Sequence, residues 1–141
     1  MKPCVFTGSA VAIVTPFCGD GVDLEAFDRL IERQIQGGTD AIVVCGTTGE
    51  ASTMTDNEKL ALIAHTVQYC AGRCKVIAGT GTNDTAHSLQ LSRVAASMGA
   101  DSVRFGRTLD RTEMTPFAPS ESRGTVRSSL PLQIFRSSPH K

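Results

Sequence analysis

The sequence predicts an α/β protein made of successive strand–helix units. Three observations carry this. Apolar runs that open strands begin near residues 9, 41, 75 and 100, a recurrence of roughly 25–35 residues, which is the length of one βαβ unit. Between them lie stretches with apolar residues every three or four positions, the mark of helices with one buried face. The run from Ala41 to Cys45 is apolar throughout and rich in β-branched residues, as a strand covered on both faces is. Parallel strands with right-handed crossovers follow. Two layouts close such a chain, a doubly wound sheet or an eight-stranded barrel. No Gly-x-Gly-x-x-Gly follows the first strand, which weighs against the dinucleotide-binding form.

In order, Ser9 to Thr15 reads as the first strand, stopped by Pro16, and Gly19 to Gly21 as a turn. Asp23 is placed to cap a helix running to about Gln36, with Leu24, Phe27, Leu30, Ile31 and Ile35 as its buried stripe. Gly37 and Gly38 supply the left-handed stop. The second strand ends in Gly46, Thr47, Thr48, Gly49 and Glu50. Thr55 and Glu58 match a capping box, in which hydroxyl and carboxylate each take an orphan backbone N–H. The helix they open carries Leu60, Ile63, Ala64 and Val67 on one face and ends at Gly72. Lys75 to Ala78 is the third strand. Asn83 and Asp84 cap a third helix that starts at Thr85, carries Leu89, Val94, Ala95 and Met98, and closes at Gly99. A fourth strand is expected from Ala100.

With 141 residues, 40% hydrophobic and 20% charged, the chain holds one domain with a real core. No apolar stretch approaches the roughly 20 residues that span a membrane, and the start lacks the apolar segment of a signal peptide. A cytoplasmic protein with no membrane partner is expected. The five cysteines are odd in number and form no Cys-x-x-Cys pair, which reads as free thiols in a reducing cytosol. Cys70 and Cys74 straddle a helix end with no histidine or second pair to complete a zinc site. His65, His87 and His140 have no metal-ligand spacing and read as scattered surface residues, so no metal is expected.

The net charge of zero hides a split: residues 1–101 hold 7 Lys/Arg and 11 Asp/Glu, whereas residues 102–141 hold 7 and 3. Of the 40 residues in the second part, 21 are Ser, Arg, Thr or Pro, a composition expected to be disordered. It lacks the dense charge runs and interleaved aromatics of a nucleic-acid surface, and no nucleic-acid partner is expected. The boundaries drawn are therefore a domain at 1–101 and a tail at 102–141.

The loop Gly46, Thr47, Thr48, Gly49 offers two hydroxyls and several N–H groups between residues that let a ligand approach the backbone. It reads either as a receptor for a small carboxylate or as a plain turn between strand and helix. Glu50 reads as fixing the loop or neutralising a helix N-terminus rather than as a catalytic acid.

At Gly46 to Glu50 the sequence resembles the dihydrodipicolinate synthase and N-acetylneuraminate lyase family of pyruvate-dependent class I aldolases. The resemblance runs from Phe6 through Thr15-Pro16-Phe17, Asp40 to Thr53, and Val76 to Asn83, to Met98-Gly99-Ala100-Asp101. Thr47, where the lyase branch has serine, points to the synthase branch, which condenses pyruvate with aspartate semialdehyde on the lysine pathway. The resemblance implies a (β/α)8 TIM barrel, of which about three and a half units are present, usually assembled as a homotetramer. It implies no cofactor. It gives Thr48 the pyruvate carboxylate, with Gly46 and Gly49 beside it, and Thr47 a place in a proton relay between two tyrosines.

The family reaction also needs a lysine that attacks the pyruvate ketone to form a Schiff base. The chain has Lys2, Lys59, Lys75 and Lys141. Two are terminal, Lys59 lies in a capped surface helix, and Lys75 starts a strand, at the wrong end of a barrel. The only tyrosine, Tyr69, is in the second helix, and the family's carboxylate-binding arginine has no counterpart. The resemblance stops near Asp101 in mid-strand, and a shift of reading frame near codon 102 is the expected cause.

Overall fold

Where the sequence places capping residues before apolar stripes, helices form, and where it places β-branched runs, strands form. The computed structural model describes residues 6–19, 21–104 and 114–116. The disorder expected of the tail falls outside the described residues, apart from 102–104 and 114–116. Strands Ala10–Ala12 (β1), Phe17–Cys18 (β2) and Gly21–Val22 (β3) precede helix Leu24–Gln36 (α1). Then come Ala41–Val44 (β4), a 3-10 turn at Ala51–Thr53, Asp56–Cys70 (α2), Lys75–Gly79 (β5), Thr85–Ser97 (α3), Ser102–Arg104 (β6) and Met114–Pro116 (β7).

The main sheet has the order β1-β4-β5-β6-β7. Its first three pairings are parallel, with Ala10 beside Ala41, Ala41 beside Lys75 and Ile77 beside Ser102. Each parallel step crosses over through one helix, as the spacing predicts. β7 is antiparallel to β6, with Val103 beside Thr115, and was not foreseen. β2 and β3 form a separate two-residue hairpin around the expected turn.

All four residues of β4 are buried. Ile42 and Val44 join Phe27, Ile31, Leu62 and Ile63 in the core under the helices. Ala41 and Val43 face the other way, with Ile77 and the partly buried Phe6. This is why the run reads as continuously apolar: neither face meets water.

The cap signals take the predicted form. The Asp23 carboxylate accepts from the Ala26 N–H at 2.9 Å, and Gly38 takes the left-handed conformation after α1, at φ 80. At α2 the Thr55 N–H donates to Glu58 Oε2 (2.7 Å) while the Glu58 N–H donates to Thr55 Oγ1 (3.3 Å). Asp84 caps α3, accepting from the Ala86 N–H at 2.9 Å.

The stripes differ in detail. Phe27 and Ile31 are fully buried, but Leu24 is 44% exposed. It sits in the first turn of α1, next to a short hairpin whose Phe17 and Cys18 are themselves exposed. On α2 the buried residues are Leu62, Ile63, Thr66 and Cys70, whereas the expected Leu60, Ala64 and Val67 are only partly buried. α2 touches α1 and α3 as well as the sheet, so its flanks are covered sideways and its centre faces the strands. Thr66 enters the core because its hydroxyl donates to the Leu62 carbonyl at 2.6 Å. On α3 the buried face is Ser88, Leu91, Ser92 and Ala95, two of them polar.

The histidines among the described residues are not scattered surface groups. His65 on α2 lies 2.6 Å from Asp28 of α1, and His87 on α3 lies 2.6 Å from Asp56 of α2. Among the described residues no helix is long and apolar enough to cross a membrane.

Thr55→Ala removes the hydroxyl half of the capping box and lowers unfolding free energy by about 1 kcal/mol in urea titration. Three carboxyls are held below their ordinary values of 4.5 for glutamate and 3.8 for aspartate. Arg73 does this to Glu32, His87 to Asp56, and the Thr55 backbone to Glu58. Groups depressed by folding contribute stability above their unfolded pKa and lose it as pH falls through the folded one. Thermal unfolding followed against pH therefore shows a melting temperature that declines below about pH 4.5.

Candidate functional site

The loop after β4 is shaped by three constraints. First, Cys45 ends the strand in the left-handed region at φ 55, a conformation a side chain rarely takes and one that concentrates at functional loops. Second, the Gly49 N–H donates to the Gly46 carbonyl (3.1 Å), the Glu50 N–H to the Thr47 carbonyl (3.1 Å) and the Ala51 N–H to the Gly46 carbonyl (3.4 Å). These nested turns fold the loop on itself. Third, the Thr15 hydroxyl, 6% exposed at the end of the first strand region, donates to the Gly49 carbonyl at 2.8 Å. A β-carbon on Gly49 would stand 3.1 Å from the Ile13 carbonyl and 3.2 Å from Thr15 Oγ1. The glycine is what lets the loop lie against β1.

Gly46 and Gly49 are buried, and Thr47 and Thr48 are exposed at the crest. Among the described residues neither the N–H nor the hydroxyl of Thr47 and Thr48 has a partner. Four donors on two adjacent residues are thus open to a ligand, and oxygen-rich anions are what such donors suit.

Glu50 fixes the loop, one of the two roles expected of it, but through its backbone rather than its carboxylate. It is left-handed at φ 54 and its side chain makes no cap bond. Its backbone carbonyl does the fixing, accepting from the Thr53 N–H (3.0 Å) and hydroxyl (2.9 Å). The Cys45 thiol contacts the Lys59 carbonyl at 3.7 Å, and burial pushes it up to about 12. It stays protonated and is no nucleophile at neutral pH.

Lys59 is less of a surface residue than its helix position suggests. Its side chain is 14% exposed, with Nζ 3.4 Å from Asp56 Oδ1. Lys75 begins β5 beside Ala41, at the end of the sheet away from the loop, and pairs with Asp101 at 2.8 Å. Tyr69 lies at the far end of α2, roughly 20 Å along the helix from its first turn. There its ring stacks on His65 at 6.2 Å and carries the Arg73 guanidinium at 5.5 Å. Among the described residues no three His, Cys, Asp or Glu side chains are placed to hold a metal.

The next loop, after β5, is also built from hydroxyls. Buried Thr80 and Ser92 share a hydrogen bond of 2.7 Å, and the Thr82 N–H donates to Ser88 Oγ at 2.9 Å. Sequence reasoning missed Thr15, Thr80, Ser88 and Ser92 as supports. The one local signal was Thr15-Pro16, a hydroxyl placed where a strand has to stop.

Parallel strands with a helix after each, and hydroxyl-lined loops at their C-terminal ends, define the class: the first units of a (β/α)8 barrel, whose chemistry sits at that end. The chain belongs to the Dihydrodipicolinate synthetase family, which it matches over residues 5–105. It is 58% identical over 99 residues to the 4-hydroxy-tetrahydrodipicolinate synthase of Thermoanaerobacter sp. (strain X514), a match covering 70% of this chain and 33% of that protein. Dihydrodipicolinate synthase from Aquifex aeolicus superimposes with a TM-score of 0.69 at 49% identity, over 71% of this chain and 34% of the other. The chloride-inhibited enzyme from Acinetobacter baumannii, complexed with pyruvate, does so with a TM-score of 0.67 at 42% identity, over 70% and 34%. The chain spans about a third of the length of the curated relatives it matches. The family match passes the boundary drawn at 101 and takes in β6.

Thr15→Val keeps the shape but leaves the Gly49 carbonyl without its donor. Urea unfolding shows a loss of about 1–3 kcal/mol, and amide exchange at Gly49 to Ala51 speeds up. Thr15→Ser restores both.

Proposed function

We propose that the loop Gly46 to Gly49 is the pyruvate-carboxylate receptor of a 4-hydroxy-tetrahydrodipicolinate synthase, carried here on the first units of the barrel. The single observation behind this is the crest of the loop, where Thr47 and Thr48 present N–H and hydroxyl donors with no partner among the described residues. Thr48 takes the carboxylate through its hydroxyl and N–H. Thr47 passes a proton, since a hydroxyl donates and accepts at once. Similarity to synthases that include one complexed with pyruvate supports the assignment. The reaction of the whole enzyme is condensation of pyruvate with aspartate semialdehyde through a lysine Schiff base, on the lysine pathway.

The chain by itself does not run that reaction. A Schiff-base lysine must be desolvated inside the barrel so that its amine is neutral and nucleophilic. Lys75 is half-exposed and paired with Asp101 at the opposite end of the sheet, and Lys59 is held by Asp56. Lys2 and Lys141 lie outside the described residues. The relay tyrosines have no match, because Tyr69 is at the wrong end of α2. The family match ends at residue 105, and we read the Ser-, Arg-, Thr- and Pro-rich stretch that follows as a tail translated out of frame from near codon 102.

A second reading is a non-catalytic half-barrel that binds a small carboxylate or joins full-length subunits. The exposed apolar residues Val14 and Phe17, 50% and 43% accessible beside edge strand β1, favour it. One experiment separates the readings. The chain is incubated with pyruvate, reduced with borohydride and weighed, and a parallel sample is titrated with pyruvate while backbone amides are followed by NMR. We expect no stable lysine adduct, together with shifts confined to residues 46–50. An adduct on any lysine overturns the inactive assignment, and no shift at Thr48 overturns the receptor.

A further inference from the structure

We propose that Cys70 and Cys74 form a two-thiol site that closes to an intrachain disulfide when the chain meets a small hydroperoxide. The two sulfurs are already in contact: the Cys74 thiol donates to Cys70 Sγ at 3.4 Å. A disulfide bond is about 2.05 Å long, so bond formation needs each side chain to swing by less than an ångström or so, with no rearrangement of the sheet.

The turn between them holds this approach. Cys70 is the last residue of α2, and Ala71 and Gly72 are both left-handed, at φ 46 and 77. The chain therefore doubles back, and the Arg73 N–H donates to the Cys70 carbonyl at 2.8 Å. The Arg73 side chain then clamps the turn from outside, with NH1 2.8 Å from Glu32 Oε2 and NH2 2.9 Å from the Tyr69 carbonyl. Cys74 follows at once and leads into β5. Neither of the other described cysteines has such a neighbour: Cys18 is exposed, and Cys45 points its sulfur at the Lys59 carbonyl.

The two thiols have different roles. Cys70 is fully enclosed, whereas Cys74 is 6% exposed. Cys74 sulfur attacks one peroxide oxygen, the O–O bond breaks, and water leaves with the Cys74 proton, giving a sulfenic acid. Cys70 sulfur then attacks Cys74 sulfur, the S–O bond breaks, and the departing hydroxide takes the Cys70 proton as a second water. Two thiols lose two electrons and two protons, and the peroxide accepts both. Cys70 has no exposed surface, so an oxidant from solution meets Cys74 first and Cys70 meets only the sulfenic acid held beside it.

The test uses the full chain, treated with hydrogen peroxide in native buffer, quenched with an alkylating reagent and digested with trypsin without reduction. Cleavage after Arg73 and Lys75 puts the two cysteines on separate peptides. The expected product is peptide 60–73 joined to the Cys74–Lys75 dipeptide, and it forms in native buffer ahead of any link to Cys18 or Cys45. Cys74→Ser abolishes the link and leaves Cys70 alkylated. The proposal is overturned if both thiols are still alkylated once Cys18 is oxidised. It is equally overturned if the link forms only in urea, where the folded turn is gone. The wild-type map alone decides the matter should the variant fail to fold.

Discussion

A glycine inside a strand often marks the place where another backbone approaches too closely for a side chain. Gly79 closes β5 at such a place. A β-carbon there would collide with the Cys45 carbonyl and stand 2.9 Å from the Gly46 nitrogen. The bare edge of Gly79 lets β4 turn over its neighbour, with Cys45 left-handed at the turn. The nested hydrogen bonds from Gly46 to Ala51 follow from that exit, and so does the position of Thr47 and Thr48 at the crest. Thr15 then pins the far side of the loop to β1. The loop is thus held by its two neighbouring strands and its own turns, and the hydroxyls of Thr47 and Thr48 carry none of the load.

The two ends of the sheet do different work. At the N-terminal ends, charges bind strands to one another: the Asp40 carboxylate takes the Ser9 N–H at 2.8 Å, and the Asp101 carboxylate takes the Val76 N–H at 2.9 Å and Lys75 Nζ at 2.8 Å. Every one of these acceptors is engaged by the fold itself. At the C-terminal ends the groups are neutral hydroxyls and amides, and some are left open. In a barrel the first end reads as stability and the second as chemistry. The cysteine pair belongs to the first end, so closing it would stiffen the α2–β5 junction without touching the threonine loop.

How far the sequence could be read depended on distance along the chain. The caps at Asp23, Thr55 and Asp84 were legible because donor and acceptor lie within three residues of each other. The threonine loop was legible for the same reason, being contiguous. Thr15 was not, since its partner is 34 residues away. Ser88 and Ser92 were hidden because hydropathy places serine outside, yet here they turn toward Thr80 and Thr82 and satisfy one another's hydroxyls. Glu50 was half legible: its place in the loop suggests a fixing role, but that the left-handed backbone rather than the acid does the fixing is not written in its residue type. The histidines were misjudged because their partners sit on the preceding helix, 37 and 31 residues upstream.

Those two histidines share a pattern. Asp28 of α1 meets His65 of α2, and Asp56 of α2 meets His87 of α3. In each pair the earlier helix supplies the acid and the later one the histidine, and α2, in the middle, supplies one of each. The parallel strand pairs step forward in the same way, β1 to β4, β4 to β5, β5 to β6. A chain leaving the ribosome therefore finds the partner for each new unit already made, and none of these contacts waits for residues still to be translated. The order of synthesis and the order of the units across the sheet are the same, which suits a vectorial assembly.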